Sequence, residues 1–327
     1  MDKKWLVGVT VLIGIITYLF IGFAHHSSKM SHIVKELQGH HGNGTQRYHI
    51  VLIEQELYNP YWEMVEKGAE QAAQQYGIDI EFVGAVRNNM DEQLNLLEKA
   101  IAARVDAIIV QGLNEEKFTP VINKAVKRGI PVVTIDTDAP KSQRLTYVGT
   151  DNIAAGKRLG QLVVDTSGGS GKIGVIIGSD VAANQLQRLE GLQRVVEEYS
   201  GLEIVDVRSS NISHMEAIQQ AVQMLREHPE INIMVGTSAT DALGMLQAAQ
   251  SLQRDTLTII GFDNQKETLE AIANGEITAT IAQQPYLIGG TAVKLLYEHF
   301  QGEPLYSEYY TEVKVLDRSN VQEGESL

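Results

Sequence analysis

The chain has no cysteine among its 327 residues. That excludes disulfides, thiolate metal sites, cysteine nucleophiles and lipid attachment through a thiol. Basic charge is scarce, with 27 Lys and Arg against 41 Asp and Glu, a formal charge of −14 at neutral pH. A phosphate backbone needs a basic face, so nucleic acid is excluded as the main partner. Cofactor fingerprints are missing too. No dinucleotide glycine pattern follows the first apolar strand, where the turn reads Tyr58-Asn59-Pro60. Gly168-Gly169-Ser170-Gly171-Lys172 imitates a phosphate loop, but its glycine spacing is wrong and Ile173 replaces the Ser/Thr. It also precedes a strand, where a phosphate loop follows one. No nucleophile system surrounds His214 or His228. The sequence therefore reads as a binder rather than an enzyme, with no cofactor and no metal.

What is present begins with a long apolar run. Lys3 and Lys4 precede uncharged Leu6–Phe23. A helix of that length spans roughly 27 Å, close to a bilayer core of about 30 Å. The basic flank belongs on the cytoplasmic side, which places the rest of the chain outside. A cleaved signal peptide is the rival reading, since Gly22 and Ala24 fit the small cleavage positions. The run exceeds a usual signal core of about 7–15 residues, which favours a retained transmembrane helix. Residues 25–47 read as a flexible tether rich in Ser, Gly and Asn. Five histidines lie in it, but a tether lacks the fixed geometry a metal needs.

From residue 49 the pattern alternates strand and helix. Short apolar runs at His49–Glu54, Ala107–Val110 and Val132–Ile135 alternate with amphipathic stretches at Tyr61–Tyr76, Asp91–Ala103 and Pro120–Arg128. Continuous apolar strands between such helices predict parallel sheets covered on both faces. The order then repeats from Ile173 to Ile260. Gln111 and Ser238 stand 127 residues apart, as do Asp136 and Asp263. Two similar α/β lobes, made by duplication, are the expected fold.

In open parallel sheets, ligands bind beyond the carboxyl ends of the strands. The first half places Asn59, Tyr61, Trp62, Gln111, Asp136 and Thr137 there. The second half places the Asn184–Gln185 turn, Ser238 and Asp263, and Gln283 follows near the return crossing. Amides and carboxylates hold adjacent hydroxyls, and aromatic faces stack on the C–H side of a sugar ring. No Arg or Lys is in the set, so a small neutral polyol fits better than an anion. The plainer readings are a cap or turn for Asp136 and Asp263, and helix-start packing for Tyr61 and Trp62.

These segments resemble the sugar-type periplasmic binding proteins of the ribose-binding group. The resemblance runs from about Tyr48 to Asp317. Tyr58-Asn59-Pro60-Tyr61-Trp62 resembles the family's asparagine-proline-aromatic turn. Gly129–Asp136 resembles its strand ending in a binding aspartate. Gly149-Thr150-Asp151-Asn152 and Thr280–Pro285 resemble hinge crossings, and Gly261-Phe262-Asp263 resembles the second aspartate motif. The resemblance implies a type I periplasmic binding protein fold: two Rossmann-like lobes with parallel sheets joined by a three-strand hinge. It implies lobes of 48–150 plus 283–310 and 151–282 plus 311–318, with 319–327 as a tail. It also implies ligand contacts from Asn59, Tyr61, Trp62, Gln111, Asp136, Asp263 and Gln283. Thr137 replaces an arginine of ribose binders, Gln185 or Leu186 stands where they have another, and Ser238 replaces an asparagine. Ribose itself is therefore not the expected ligand. The implied protein is a monomer that closes on a carbohydrate or polyol outside the cytoplasm. It docks on an ABC permease or, alternatively, on a sensor kinase or chemoreceptor.

Overall fold

In the computed structural model, the described residues are 47–326. The expected membrane segment, and all of the tether but Arg47, lie outside them. Among the described residues no helix is long and apolar enough to cross a membrane.

Two six-stranded sheets organise the chain. The first uses β1 (His49–Glu54), β2 (Asp79–Gly84), β3 (Ala107–Val110), β4 (Val132–Ile135), β5 (Thr146–Thr150) and the late β11 (Glu308–Thr311). Their order is β11-β5-β4-β3-β1-β2, parallel throughout. The second uses β6 (Gly171–Ile177), β7 (Leu202–Ser209), β8 (Ile233–Gly236), β9 (Thr258–Phe262), β10 (Ala279–Ala282) and β12 (Lys314–Asp317). Its order is β12-β10-β9-β8-β6-β7, parallel except for β12. The two orders correspond strand for strand, so the duplication is a property of the fold. Each sheet with its helices forms one lobe.

The inner strands β3, β4, β5, β8 and β10 are buried at every position because helices cover both faces. On β1, Ile50 and Leu52 join one core cluster and Val51 and Ile53 the other. The first lobe carries α1 (Pro60–Tyr76), α2 (Met90–Ala103) and α3 (Glu115–Lys127). Helix α3 starts five residues before the expected Pro120. Asn114 is its N-cap, accepting from the Lys117 amide at 3.0 Å. Pro120 is tolerated because its missing N–H removes a single intrahelical bond.

The second lobe carries α4 (Asn152–Ser167), α5 (Ala183–Val196), α6 (His214–Glu227), α7 (Asp241–Ser251) and α8 (Lys266–Asn274). Gly168 closes α4 as a left-handed cap at φ 66°. The false phosphate loop is therefore a helix stop leading into β6.

The chain passes between lobes after β5, after β10 and after β11. The first two crossings exchange helices. Helix α4 leaves the first sheet and packs on α5, while α9 (Pro285–Phe300) leaves the second sheet and packs on α1. Both pairings bring backbones together at glycine. A β-carbon on Gly68 would collide with the Tyr286 carbonyl, and one on Gly289 with that of Val65. In the other pair, Gly191 faces the Ile153 carbonyl and Gly156 that of Arg188. Each lobe is thus completed by the other half of the sequence, which ties both walls of the cleft to the same crossings.

Candidate functional site

The carboxyl ends of both sheets face one cavity. Asp136 and Asp263 end matched strands, and both adopt left-handed backbone, at φ 58° and 66°. Aspartate tolerates that region better than most side chains. Each turn is pinned the same way. The Asp136 amide donates to Val148 and its carbonyl accepts from the Tyr147 hydroxyl at 2.8 Å. The Asp263 amide donates to Ile281 and its carbonyl accepts from the Thr280 hydroxyl at 2.8 Å. The turn aims each carboxylate away from its own sheet and into the cavity.

The two carboxylates are not in equal states. Asp136 accepts from four side chains: Tyr61 Oη at 2.9 Å, Gln111 Nε2 at 2.5 Å, Thr137 Oγ1 at 3.0 Å and Asn184 Nδ2 at 3.3 Å. Asp263 accepts from one side chain, Gln283 Nε2, at 2.9 Å. Burial pushes the Asp263 carboxyl up to about 6, with Arg188 and the Gln283 bond pulling it back and Asp136 adding to the rise. Burial together with Asp136 also holds the Tyr61 phenol well above its ordinary range, so it stays a donor.

The aromatic turn works as a unit. Asn59 caps α1 by accepting from the Tyr61 amide at 3.0 Å, and Pro60 takes the first helical position. The cap fixes where the next two rings go. Tyr61 and Trp62 meet edge-on, with centroids 5.4 Å apart. Trp62 is buried in the first lobe's core and also lines the cavity, so packing and lining are one position seen from two sides.

Most of the expected set converges. Asn59, Tyr61, Trp62, Asp136, Thr137, Gln185, Ser238, Asp263 and Gln283 all line the cavity. Gln111 does not. It stands behind Asp136 as a positioning group, fully buried, with its Oε1 unpartnered. Asn184 and Gln185 both face the cavity. Gln185 Oε1 accepts from the Gly178 amide and the Thr237 hydroxyl, at 3.2 and 2.6 Å.

The expectation of a site without cations is corrected. Arg188 lines the cavity and is 1% exposed. Its guanidinium donates to Asn152 Oδ1, the Thr237 carbonyl and Gln283 Oε1, at 2.8–3.0 Å, and stacks 3.8 Å over Phe262. Leu186, weighed for the arginine position, is 42% exposed. The signal was helical spacing: Arg188 lies one turn beyond Asn184, on the same face of α5. Arg188 is still outnumbered by Asp136 and Asp263. The cavity is net negative and favours a neutral ligand over an anion.

Among the described residues, Asp206, Glu227 and His228 could jointly offer metal ligands within 4.8 Å. Arg208 already donates to Asp206 and Glu227, at 2.7 and 2.5 Å, so a cation occupies that cluster.

A two-lobed α/β chain with hydroxyl-binding groups converging from both lobes defines a solute-binding protein that grips its ligand in an interlobe cleft. Comparison with known proteins agrees. Residues 50–304 match the family model described as periplasmic binding protein domain. The ribose import binding protein of Bacillus subtilis is 29% identical over 238 residues, covering 73% of this chain and 77% of that protein. The crystal structure of GanP, a glucose-galactose binding protein from Geobacillus stearothermophilus, is 42% identical. It covers 84% of this chain and 99% of its own, with a TM-score of 0.83. A structure titled XylFII-LytSN complex is 35% identical, covering 84% and 100%, with a TM-score of 0.79. The chain belongs to the periplasmic binding protein family, as a sugar-type member with the type I fold. Members of this kind are solute binders and not enzymes.

Proposed function

We propose that the chain captures a small neutral sugar between its lobes, outside the cytoplasm, and presents it to an ABC importer. One observation carries this reading. Asp136 and Asp263, at matched strand ends of the two sheets, converge on one cavity that also holds the Tyr61–Trp62 turn. Carboxylates and amide oxygens of both lobes accept hydrogen bonds from sugar hydroxyls, amide N–H groups donate to them, and the aromatic turn meets the apolar ring face. A ligand that touches both lobes favours the closed state through its differential affinity. Asn59, Gln111, Thr137, Gln185, Ser238 and Gln283 complete the proposed contact and positioning set. The lobes work as a monomer built from 48–150 with 283–310 and 151–282 with 311–318. Leu6–Phe23 holds the chain in the membrane, which brings it close to its partner. Membrane flotation of the full chain tests the anchor, and release into the soluble fraction would refute it.

Tryptophan supplies the binding test. The sequence has two, Trp5 just before the apolar run and Trp62 in the cavity. A chain starting at Tyr48 keeps Trp62 alone, so its emission reports on the cleft. Titration with a sugar panel should change that emission, and Asp263→Ala should abolish the change. A ligand found by calorimetry that leaves Trp62 emission and the mutant's affinity untouched would refute the site.

A second reading has its own support, because a relative at 35% identity is seen in a complex with LytSN. On that reading the closed form signals to a membrane sensor kinase. The neighbouring genes separate the two: a permease with an ATPase for import, a kinase with a response regulator for sensing.

A further inference from the structure

Resting on the reading of the cleft as a sugar site, we propose that it has a second, outer subsite. The full ligand is then a disaccharide or other neutral glycoside, with its second ring held at the mouth. A second chamber adjoins the inner cavity. The two share Gln55, Leu113, Ala182 and Ile212 as wall residues, so they lie side by side against the same wall. Both lobes contribute to the outer chamber: Asn88 and Met90 from the first, Ser179 and Val181 from the second. A molecule seated there would be gripped by the same closure that grips the inner ligand.

The chemistry of the walls selects the ligand class. No charged side chain lines the outer chamber. The side-chain amides of Gln55 and Asn88 have no protein partner among the described residues, so they are free to meet hydroxyls. Met90, Leu113, Val181 and Ile212 supply apolar surface for ring C–H faces. Val181 is 52% exposed, a large apolar side chain at the rim that no described residue covers fully. A phosphorylated or carboxylated group would find no cation there.

The divider is strained. Asn211 and Ile212 are both left-handed, at φ 50° and 56°. Such backbone is a true outlier for a β-branched residue and persists only where the surroundings over-determine it. It sets the Ile212 side chain at the boundary between the chambers, where it touches both.

Calorimetry on the full-length chain tests the subsite. The probes are D-glucose, D-galactose and D-ribose against cellobiose, maltose, lactose and melibiose. At least one disaccharide should bind about tenfold or more tighter than its component monosaccharides. Val181→Trp and Asn88→Trp fill the chamber from opposite lobes. Each should weaken that disaccharide about tenfold and leave monosaccharide affinity within about twofold. Monosaccharide binding with no disaccharide gain overturns the outer subsite and leaves the sugar reading standing. Equal loss for both classes in both variants makes the chamber a closure contact and also overturns it. Failure of every sugar to bind removes the sugar reading and the subsite together.

Discussion

Asn184 Nδ2 donates to Asp136 Oδ2 at 3.3 Å, joining a helix of the second lobe to a strand end of the first across the cleft. The bond occupies a carboxylate that also accepts from Tyr61, Gln111 and Thr137. A ligand hydroxyl reaching Asp136 therefore competes with a group that already holds the lobes together. Asp263 offers the more open acceptor. The two aspartates differ in engagement: Asp136 is bonded across the lobes and Asp263 only to Gln283.

Removing the spanning bond should shift the ligand-free protein toward open. Asn184→Ala is expected to raise the ligand-free radius of gyration in solution scattering and to leave the sugar-saturated profile unchanged. Such a bond contributes about 0.5–1.5 kcal/mol, enough to move an equilibrium roughly twofold to tenfold. Identical ligand-free profiles for variant and wild type would remove Asn184 from this role.

Affinity should depend on the ionisation of Asp263. Burial raises its carboxyl to about 6, and a sugar hydroxyl donates to the ionised form. Binding is then strongest above pH 6 and weakens as pH falls through it, by up to about tenfold per unit. Asp263→Asn should flatten the profile. Asp241 is also raised to about 6 by burial, but it binds Ser210, Thr237 and Ser238 rather than the cavity. Asp241→Asn should keep the wild-type slope, and a flat slope there would move the effect away from Asp263.

Arg188 should not tolerate lysine. Its planar fork serves three acceptors and stacks on Phe262, a geometry that one ammonium cannot reproduce. Arg188→Lys keeps a positive charge but leaves buried acceptors unmet at about 1–3 kcal/mol each. Both melting temperature and sugar affinity should fall. Wild-type affinity in a folded Arg188→Lys protein would show that the guanidinium serves the fold alone.

The sheets were readable because burial on both faces writes itself as unbroken apolar runs. Ile50–Ile53 and Ala107–Val110 need no context to be recognised. The matched aspartates were readable because the same turn ends the same strand twice. Two kinds of feature were hidden. Arg188 follows the expected turn by one helical turn, and a charged residue in an amphipathic helix reads as solvated until tertiary contacts bury it. Gln111 ends its strand as expected, yet only the fold shows Asp136 standing between it and the cavity. The start of α3 was missed for a local reason, since Pro120 looks like a first-turn residue and the Asn114 cap lies outside that window.

Glu54 gives the last prediction, and it concerns stability. The residue ends β1 with 1% exposure, its Oε1 unpartnered. Burial first, then the Glu66 carboxyl beside it, raises Glu54 to about 9. A carboxyl whose folded value lies above its unfolded value favours folding while protonated in both states. That contribution is complete below about 4.5 and is lost as pH rises through about 9. Glutamine keeps the shape and cannot ionise. Glu54→Gln should therefore melt higher than wild type at pH 9, by several degrees, at about 2–4 °C per kcal/mol for a chain of this size. The two should melt together near pH 4.5. A wild-type advantage that grows with pH would show that the ionised form is the one the fold prefers.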